Sequence, residues 1–62
     1  IYLGGDIIIE VDGTEIQSIA NLYEAIEDNK PGEDVEVTYM RGSRERTTTV
    51  TLSERPERFQ WD

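Results

Sequence analysis

The sequence predicts an α+β fold: a small, mostly antiparallel sheet, closing into a partial barrel, with one helix packed on it. Three observations lead to this prediction. Branched aliphatic residues are dense over 6–12, and apolar residues recur at helical spacing over 19–26. Apolar and polar residues alternate over 35–40, before a glycine-containing turn and a threonine-rich run. One segment of helical period among segments of period two is typical of a single helix covering a sheet.

Length and charge limit what the chain can do. Its 62 residues make one small domain, in which burial barely exceeds the entropy cost of folding. Neither Cys nor His is present, which removes disulfides, most zinc sites and the usual general base. We therefore predict no cofactor and no metal.

The charge is unevenly distributed. The net charge is −8, and residues 1–29 contain acidic residues but no Lys or Arg. Such a field repels nucleic acid and anionic membranes, and no apolar run approaches the roughly 20 residues of a membrane helix. We predict neither a nucleic-acid partner nor membrane insertion. The acidic surface either favours basic or neutral partners or simply keeps the domain in solution.

The first strand is predicted over 6–12. Alternation places Ile7, Ile9 and Val11 on one face and Ile8 on the other. The dipeptide Asp12-Gly13 follows and predicts a turn, because Gly adopts a positive φ without steric cost. Ile16 is then the lone apolar anchor of the next connection.

The helix is predicted to begin after Ser18, a residue well suited to cap a helix N-terminus. Four apolar residues then share one stripe that faces the core. They are Ile19, Leu22, Ala25 and Ile26. The run Asn29-Lys30-Pro31-Gly32 ends the helix.

A hairpin is predicted to follow. Val35, Val37 and Tyr39 alternate with polar residues, residues 41–44 form a turn, and the return strand runs over 45–52 with Val50 and Leu52 on one face. We assign the domain to residues 1–53.

Residues 54–62 are predicted to be a polar C-terminal tail. Pro56 weakens any further strand there. Phe59 and Trp61 follow no periodic pattern, and such aromatics either mark an interface or belong to a linker.

The order of these elements resembles the latter two-thirds of a PDZ domain of the bacterial kind, as in HtrA-type serine proteases. Gly5-Asp6-Ile7-Ile8 looks like the start of that family's central strand, and Val11-Asp12-Gly13 like its strand-to-turn signature. Residues 18–29 are similar to its groove-forming helix, residues 30–33 to the loop after it, and residues 35–52 to its closing hairpin.

The resemblance implies a peptide-binding module. Such domains add an extended peptide, often a protein C-terminus, as a strand between a sheet edge and the helix. The family's helix register implies that Asn21, Ala25 and Asp28 face the groove, with Leu22 beside them on the adjacent core face. Residues at i, i+4 and i+7 do share one side of a helix. The alternative is that Asn21 and Asp28 simply face solvent.

The family's carboxylate-binding loop and its strand are not among these 62 residues. We therefore expect an incomplete groove and unpaired sheet edges, which favour a homodimer or a strand-swapped assembly. The alternative function is a structural or oligomerisation fragment without peptide affinity. The resemblance also implies a serine endopeptidase as the parent protein and the cell envelope as its location.

Catalysis by this chain alone is not expected. Glu10 and Asp12 lie on one face of the predicted strand, but acid–base work by two carboxylates needs a cleft that separates their pKa values. A solvated strand face accounts for both residues.

Overall fold

The computed structural model describes residues 1–54 and 59–61. Its elements are β1 (Tyr2–Leu3), β2 (Asp6–Val11), β3 (Thr14–Glu15), α1 (Ile19–Ile26), β4 (Asp34–Arg41) and β5 (Arg44–Thr51). The strands form one sheet in the order β1-β2-β4-β5, with β3 paired to β2. All of these pairings are antiparallel. The predicted α+β fold, an antiparallel sheet with one helix, is confirmed.

Two tight turns hold the sheet in register. Val11 pairs with Thr14 across Asp12 and Gly13, whose φ angles are 47° and 83°. Two positive φ values in a two-residue connection match the twist of the flanking strands. At the second hairpin, Arg41 pairs with Arg44, and the predicted turn over residues 41–44 is confirmed.

The predicted alternation in β2 holds for Ile7, Ile8 and Ile9 and is wrong at Val11. Ile8 and Val11 are both fully buried, whereas Ile7 and Ile9 are half-buried. The pairing of β2 with β4 shifts between Ile8 and Glu10, which marks a β-bulge. An extra residue in one strand resets the alternation, so residues three apart point to the same side.

Helix α1 begins as predicted. The Ser18 Oγ accepts a hydrogen bond from the Asn21 backbone N–H at 3.2 Å. The apolar stripe is narrower than expected, because Leu22 and Ile26 are buried but Ile19 is 47% exposed. The helix ends at Ile26, earlier than the predicted stop.

The core lies between α1 and one face of the sheet. Ile16 anchors the connection as predicted, and the predicted burial of alternate β4 residues is confirmed. The buried apolar residues are Ile8, Val11, Ile16, Leu22, Ile26, Val35, Val37, Tyr39 and Leu52. Full burial of one such side chain contributes about 1.5–3 kcal/mol.

The aromatic residues near the C-terminus also pack on this core. Phe59 and Trp61 are both half-buried and contact the buried cluster. Pro56 and its predicted effect on strand formation lie outside the described residues. The division into a domain at 1–53 and a tail at 54–62 stays a prediction.

Candidate functional site

One flank of α1 carries two of the residues that sequence analysis assigned to a groove. Residues in an α-helix are about 100° apart around the axis, so Asn21 and Ala25 lie on one side and the buried Leu22 and Ile26 on the next. Both Asn21 and Ala25 are half-buried. We call this side the Asn21–Ala25 flank. Because the core face holds the helix on the sheet, the flank has a fixed orientation.

Asn21 is part of the helix cap. Its Oδ1 accepts a hydrogen bond from the Gln17 backbone N–H at 3.1 Å, and its own N–H donates to the Ser18 Oγ. The bond from Gln17 orients the Asn21 side chain, with the amide Nδ2 as its remaining donor group. Ala25, one helical turn further on, has only a methyl group and packs partly against the core.

Asp28 and Leu22 differ from this pair. Asp28 is exposed and lies in the turn that follows the last helical residue, Ile26. There the Asn29 N–H donates to the Ile26 carbonyl at 3.0 Å. This bond spans three residues, whereas the bonds of a continuing α-helix span four. Leu22 is 1% exposed, so it supports the flank from beneath and presents no surface of its own.

Glu10 and Asp12, which the sequence analysis assigned to a solvated strand face, have different surroundings. Glu10 lies opposite Glu15 in the β2–β3 pairing, and Asp12 Oδ1 accepts from the Glu36 N–H at 2.7 Å. Asp12 therefore joins the end of β2 to β4, which is a structural role. Among the described residues, no three acidic side chains are grouped so as to hold a metal ion.

A second constellation was not predicted from the sequence. It surrounds Asp6, a residue that is 3% exposed. Arg41 donates to both carboxylate oxygens, from Nε at 3.0 Å and from an Nη at 3.1 Å. The Trp61 indole N–H donates to one of them at 3.1 Å. A buried carboxylate with three donated hydrogen bonds is well satisfied.

These contacts change the pKa of both charged groups. The hydrogen bonds from Arg41 hold the pKa of Asp6 below its usual value, and they outweigh burial, which acts in the opposite direction. The Trp61 N–H adds to the lowering. The same pairing raises the pKa of Arg41. Asp6 is therefore a carboxylate at neutral pH.

Aromatic rings complete this constellation. The ring centroids of Tyr39 and Trp61 are 4.8 Å apart and their planes meet at 73°. This is the edge-to-face arrangement that aromatic pairs prefer. Phe59 is parallel to Trp61 at 6.1 Å, and the Arg41 guanidinium lies 5.5 Å from the Tyr39 ring centre. Strand alternation puts Tyr39 and Arg41 on one face, but nothing in the sequence indicates that Trp61 reaches them.

Comparison with known proteins identifies the fold. The PDZ domain family matches residues 3–52, which is most of the chain. The chain belongs to the PDZ domain family. A PDZ domain is a non-catalytic protein-interaction module, and the predicted family is confirmed.

Two curated relatives match this PDZ domain over 53 residues. One, 36% identical, is "Protease Do-like 1, chloroplastic" from Arabidopsis thaliana. The other, 38% identical, is "Probable periplasmic serine endoprotease DegP-like" from Halomonas elongata. Each alignment covers 86% of this chain but only 12% and 11% of the respective relative. No solved structure gives a significant match.

The PDZ domain contains no candidate membrane span in the part of the chain that the structure describes. Its single helix there, α1, has eight residues, well short of the roughly 20 needed to cross a bilayer.

Proposed function

We propose that this PDZ domain binds extended peptide segments or protein C-termini, which add as a strand beside α1. The observation that carries the proposal is the Asn21–Ala25 flank, a surface of fixed orientation with one small residue and one oriented amide. In this binding mode, backbone hydrogen bonds supply affinity and helix side chains select the ligand.

Each predicted groove residue has a distinct role in the proposal. Ala25 leaves room for a ligand side chain, and Asn21 offers its Nδ2 as a donor to a ligand carbonyl. Asp28, exposed beyond the helix end, favours a basic ligand residue there. Leu22, buried below, holds the flank against the sheet. The net charge of −8 also favours a basic or neutral ligand.

The ligand strand needs an opposing wall. The resemblance puts the carboxylate-binding loop and its strand ahead of the matched region, so these 62 residues supply only the helix side of the groove. We propose that another segment or another molecule completes it.

The parent protein is proposed to be an HtrA-type serine endopeptidase, with catalysis in a separate domain. The names of the two relatives support this, since both are proteases. The first name places its protein in the chloroplast and the second in the periplasm. We propose a cell-envelope location for this chain, in line with the second relative.

A second candidate function is self-association without peptide affinity. Strand β5 is at the end of the sheet order, and within the described residues only β4 pairs with it. Its residues 47–51 carry no charge to oppose pairing with a further strand, and such edges recruit partners. A homodimer or a strand-swapped assembly through β5 would follow.

Two alanine substitutions separate these functions. We expect Ala25→Arg to abolish binding of a synthetic peptide with a C-terminal valine, because the added side chain fills the flank. Ala20→Arg is the matched control: Ala20 is exposed and lies about 140° around the helix from Ala25. Calorimetric titration should find wild-type affinity in the control. Equal affinity in all three proteins would refute the flank as the binding site, and a size that rises with concentration but ignores peptide would favour self-association.

A further inference from the structure

The segment Phe59–Trp61 packs against residues of the PDZ domain. Residues 3–52 match the PDZ family, so the segment lies beyond the matched region. Its Trp61 meets a buried carboxylate and an aromatic ring together, at 3.1 Å from Asp6 and 4.8 Å from the Tyr39 centre. Two independent contacts of different chemistry converge on one side chain.

The receiving surface suits an indole in particular. Trp is the side chain that combines a large flat ring with a ring N–H donor. Asp6 supplies the acceptor, and Arg41 fixes it through two hydrogen bonds. Tyr39, only 8% exposed, supplies a ring against which the indole packs. Phe lacks the donor, and Tyr carries its hydroxyl at a different distance from the ring.

We propose that Asp6, Tyr39 and Arg41 form a second recognition site of the domain, the indole site, whose ligand is the chain's own Phe59–Trp61 segment. The site recognises the Trp, and Phe59 stacks on the Trp61 ring at a centroid distance of 6.1 Å. It binds this segment within the chain, and it accepts the same segment as a separate peptide when the chain's own aromatics are removed.

The indole site is separate from the proposed peptide groove. The aromatic segment and α1 enclose a cleft of about 270 Å³ whose helix side is formed by Ile19, Leu22 and Tyr23. At about 100° per residue, Ile19 and Tyr23 lie on the side of the helix opposite the Asn21–Ala25 flank. A ligand on the flank and the docked segment therefore do not compete for space.

Docking within the chain bounds the affinity. A short connection gives the segment an effective concentration in the millimolar range, so a mostly occupied site needs a dissociation constant at or below about 1 mM for the free peptide. This upper limit on the dissociation constant sets the range of peptide concentrations for a titration.

The test uses the full chain with Phe59→Ala and Trp61→Ala together. The chain has one Trp, so the double variant is silent in tryptophan fluorescence. A synthetic peptide of residues 53–62 should then bind with a saturable blue shift of its own Trp emission, and should move the amide NMR signals of Asp6, Tyr39 and Arg41. The same peptide with Ala at the Trp position should leave those signals unmoved.

Further controls address the site itself. The wild-type chain, already occupied, should take up the peptide more weakly than the double variant does, and adding Asp6→Asn to the double variant should weaken binding. A folded double variant that gives no saturable response up to about 1 mM peptide, the bound set by docking within the chain, overturns the proposal.

If the double variant loses its NMR dispersion, the proposal is tested instead by fluorescence quenching of Trp61 in the intact chain. Acrylamide should quench Trp61 in the wild type several-fold less than in the free peptide, and Asp6→Asn should raise that quenching while the fold persists. Equal quenching in chain and peptide would overturn the indole site.

Discussion

The Asn21–Ala25 flank lies on helix α1, whereas the indole site lies on strands β2 and β4, and the two are built in different ways. The flank comes from signals within one short segment: a capping Ser18, an apolar stripe and a helical period. The indole site joins residues that are 35 and 55 positions apart, through the bonds of Asp6 to Arg41 and to Trp61. A surface built from local signals can be found in a sequence. A surface built from strand register and one distant side chain cannot.

The largest expected effect tests the layer beneath the flank. Leu22→Asp should unfold the chain, because a carboxylate at a position that is 1% exposed has no partner and costs about 4 kcal/mol or more. Circular dichroism during urea denaturation would measure this. Ala20→Asp, on the exposed side of the same helix, is the control and should melt near the wild type. A Leu22→Asp protein as stable as wild type would refute the packing of α1.

The second-largest effect tests the indole site. Trp61→Ala should lower the free energy of unfolding by about 1–2 kcal/mol, less than for a fully buried Trp, because Trp61 is half-buried. Trp61→Phe should lie between, since it keeps a ring but loses the donor to Asp6. Tyr2→Ala, at a side chain that is 74% exposed, should change stability by no more than about 0.5 kcal/mol. Equal stability of all four proteins would mean that the aromatic segment adds nothing to the fold.

The third prediction sharpens the role of charge in the indole site. The pKa of Asp6 is lowered in the folded chain, so its contribution to stability is present above the unfolded-state pKa of about 3.9. It is lost as the pH falls through the folded-state value. Thermal melts across this acidic range should show a flatter acid limb for Asp6→Asn than for wild type. Parallel acid limbs would contradict the pairing with Arg41.

The smallest effect concerns the start of the helix. Ser18→Ala removes the acceptor for the Asn21 N–H and should cost about 1 kcal/mol. Ser43→Ala, in the exposed turn between β4 and β5, is the control. The loss should also loosen Asn21 and weaken peptide binding, but should leave Trp61 fluorescence unchanged. A change in Trp61 emission would show that the two sites are coupled.

The two surfaces also differ in how far they can be predicted from the sequence. The cap at Ser18, the β4 alternation and the hairpin turn each depend on neighbouring residues, and each was predicted. The β2 bulge was missed because a run of three isoleucines reads the same whether or not one residue is extra. Ile19 was placed in the core because it fits the helical period, but the stripe that meets the sheet is narrower.

The indole site was missed for a different reason. Gly5-Asp6 was noticed as part of the family's strand signature, and Arg41 as part of a turn. Their pairing required the register between β2 and β4. Trp61 gave no periodic signal, and its role depends on how the chain returns to the sheet. The groove residues remain a prediction, since they rest on the family's helix register and on the Asn21–Ala25 flank.

The most direct test of peptide recognition along α1 is a two-dimensional amide NMR titration of the chain. The ligand is the valine-ended peptide, added either with a free or with an amidated C-terminus. We predict that the signals of Asn21, Ala25 and Asp28 shift with the free carboxylate only, while Tyr39, Arg41 and the Trp61 indole keep their positions. Dispersed signals that ignore both peptides, or shifts centred on Trp61, would contradict recognition along the Asn21–Ala25 flank.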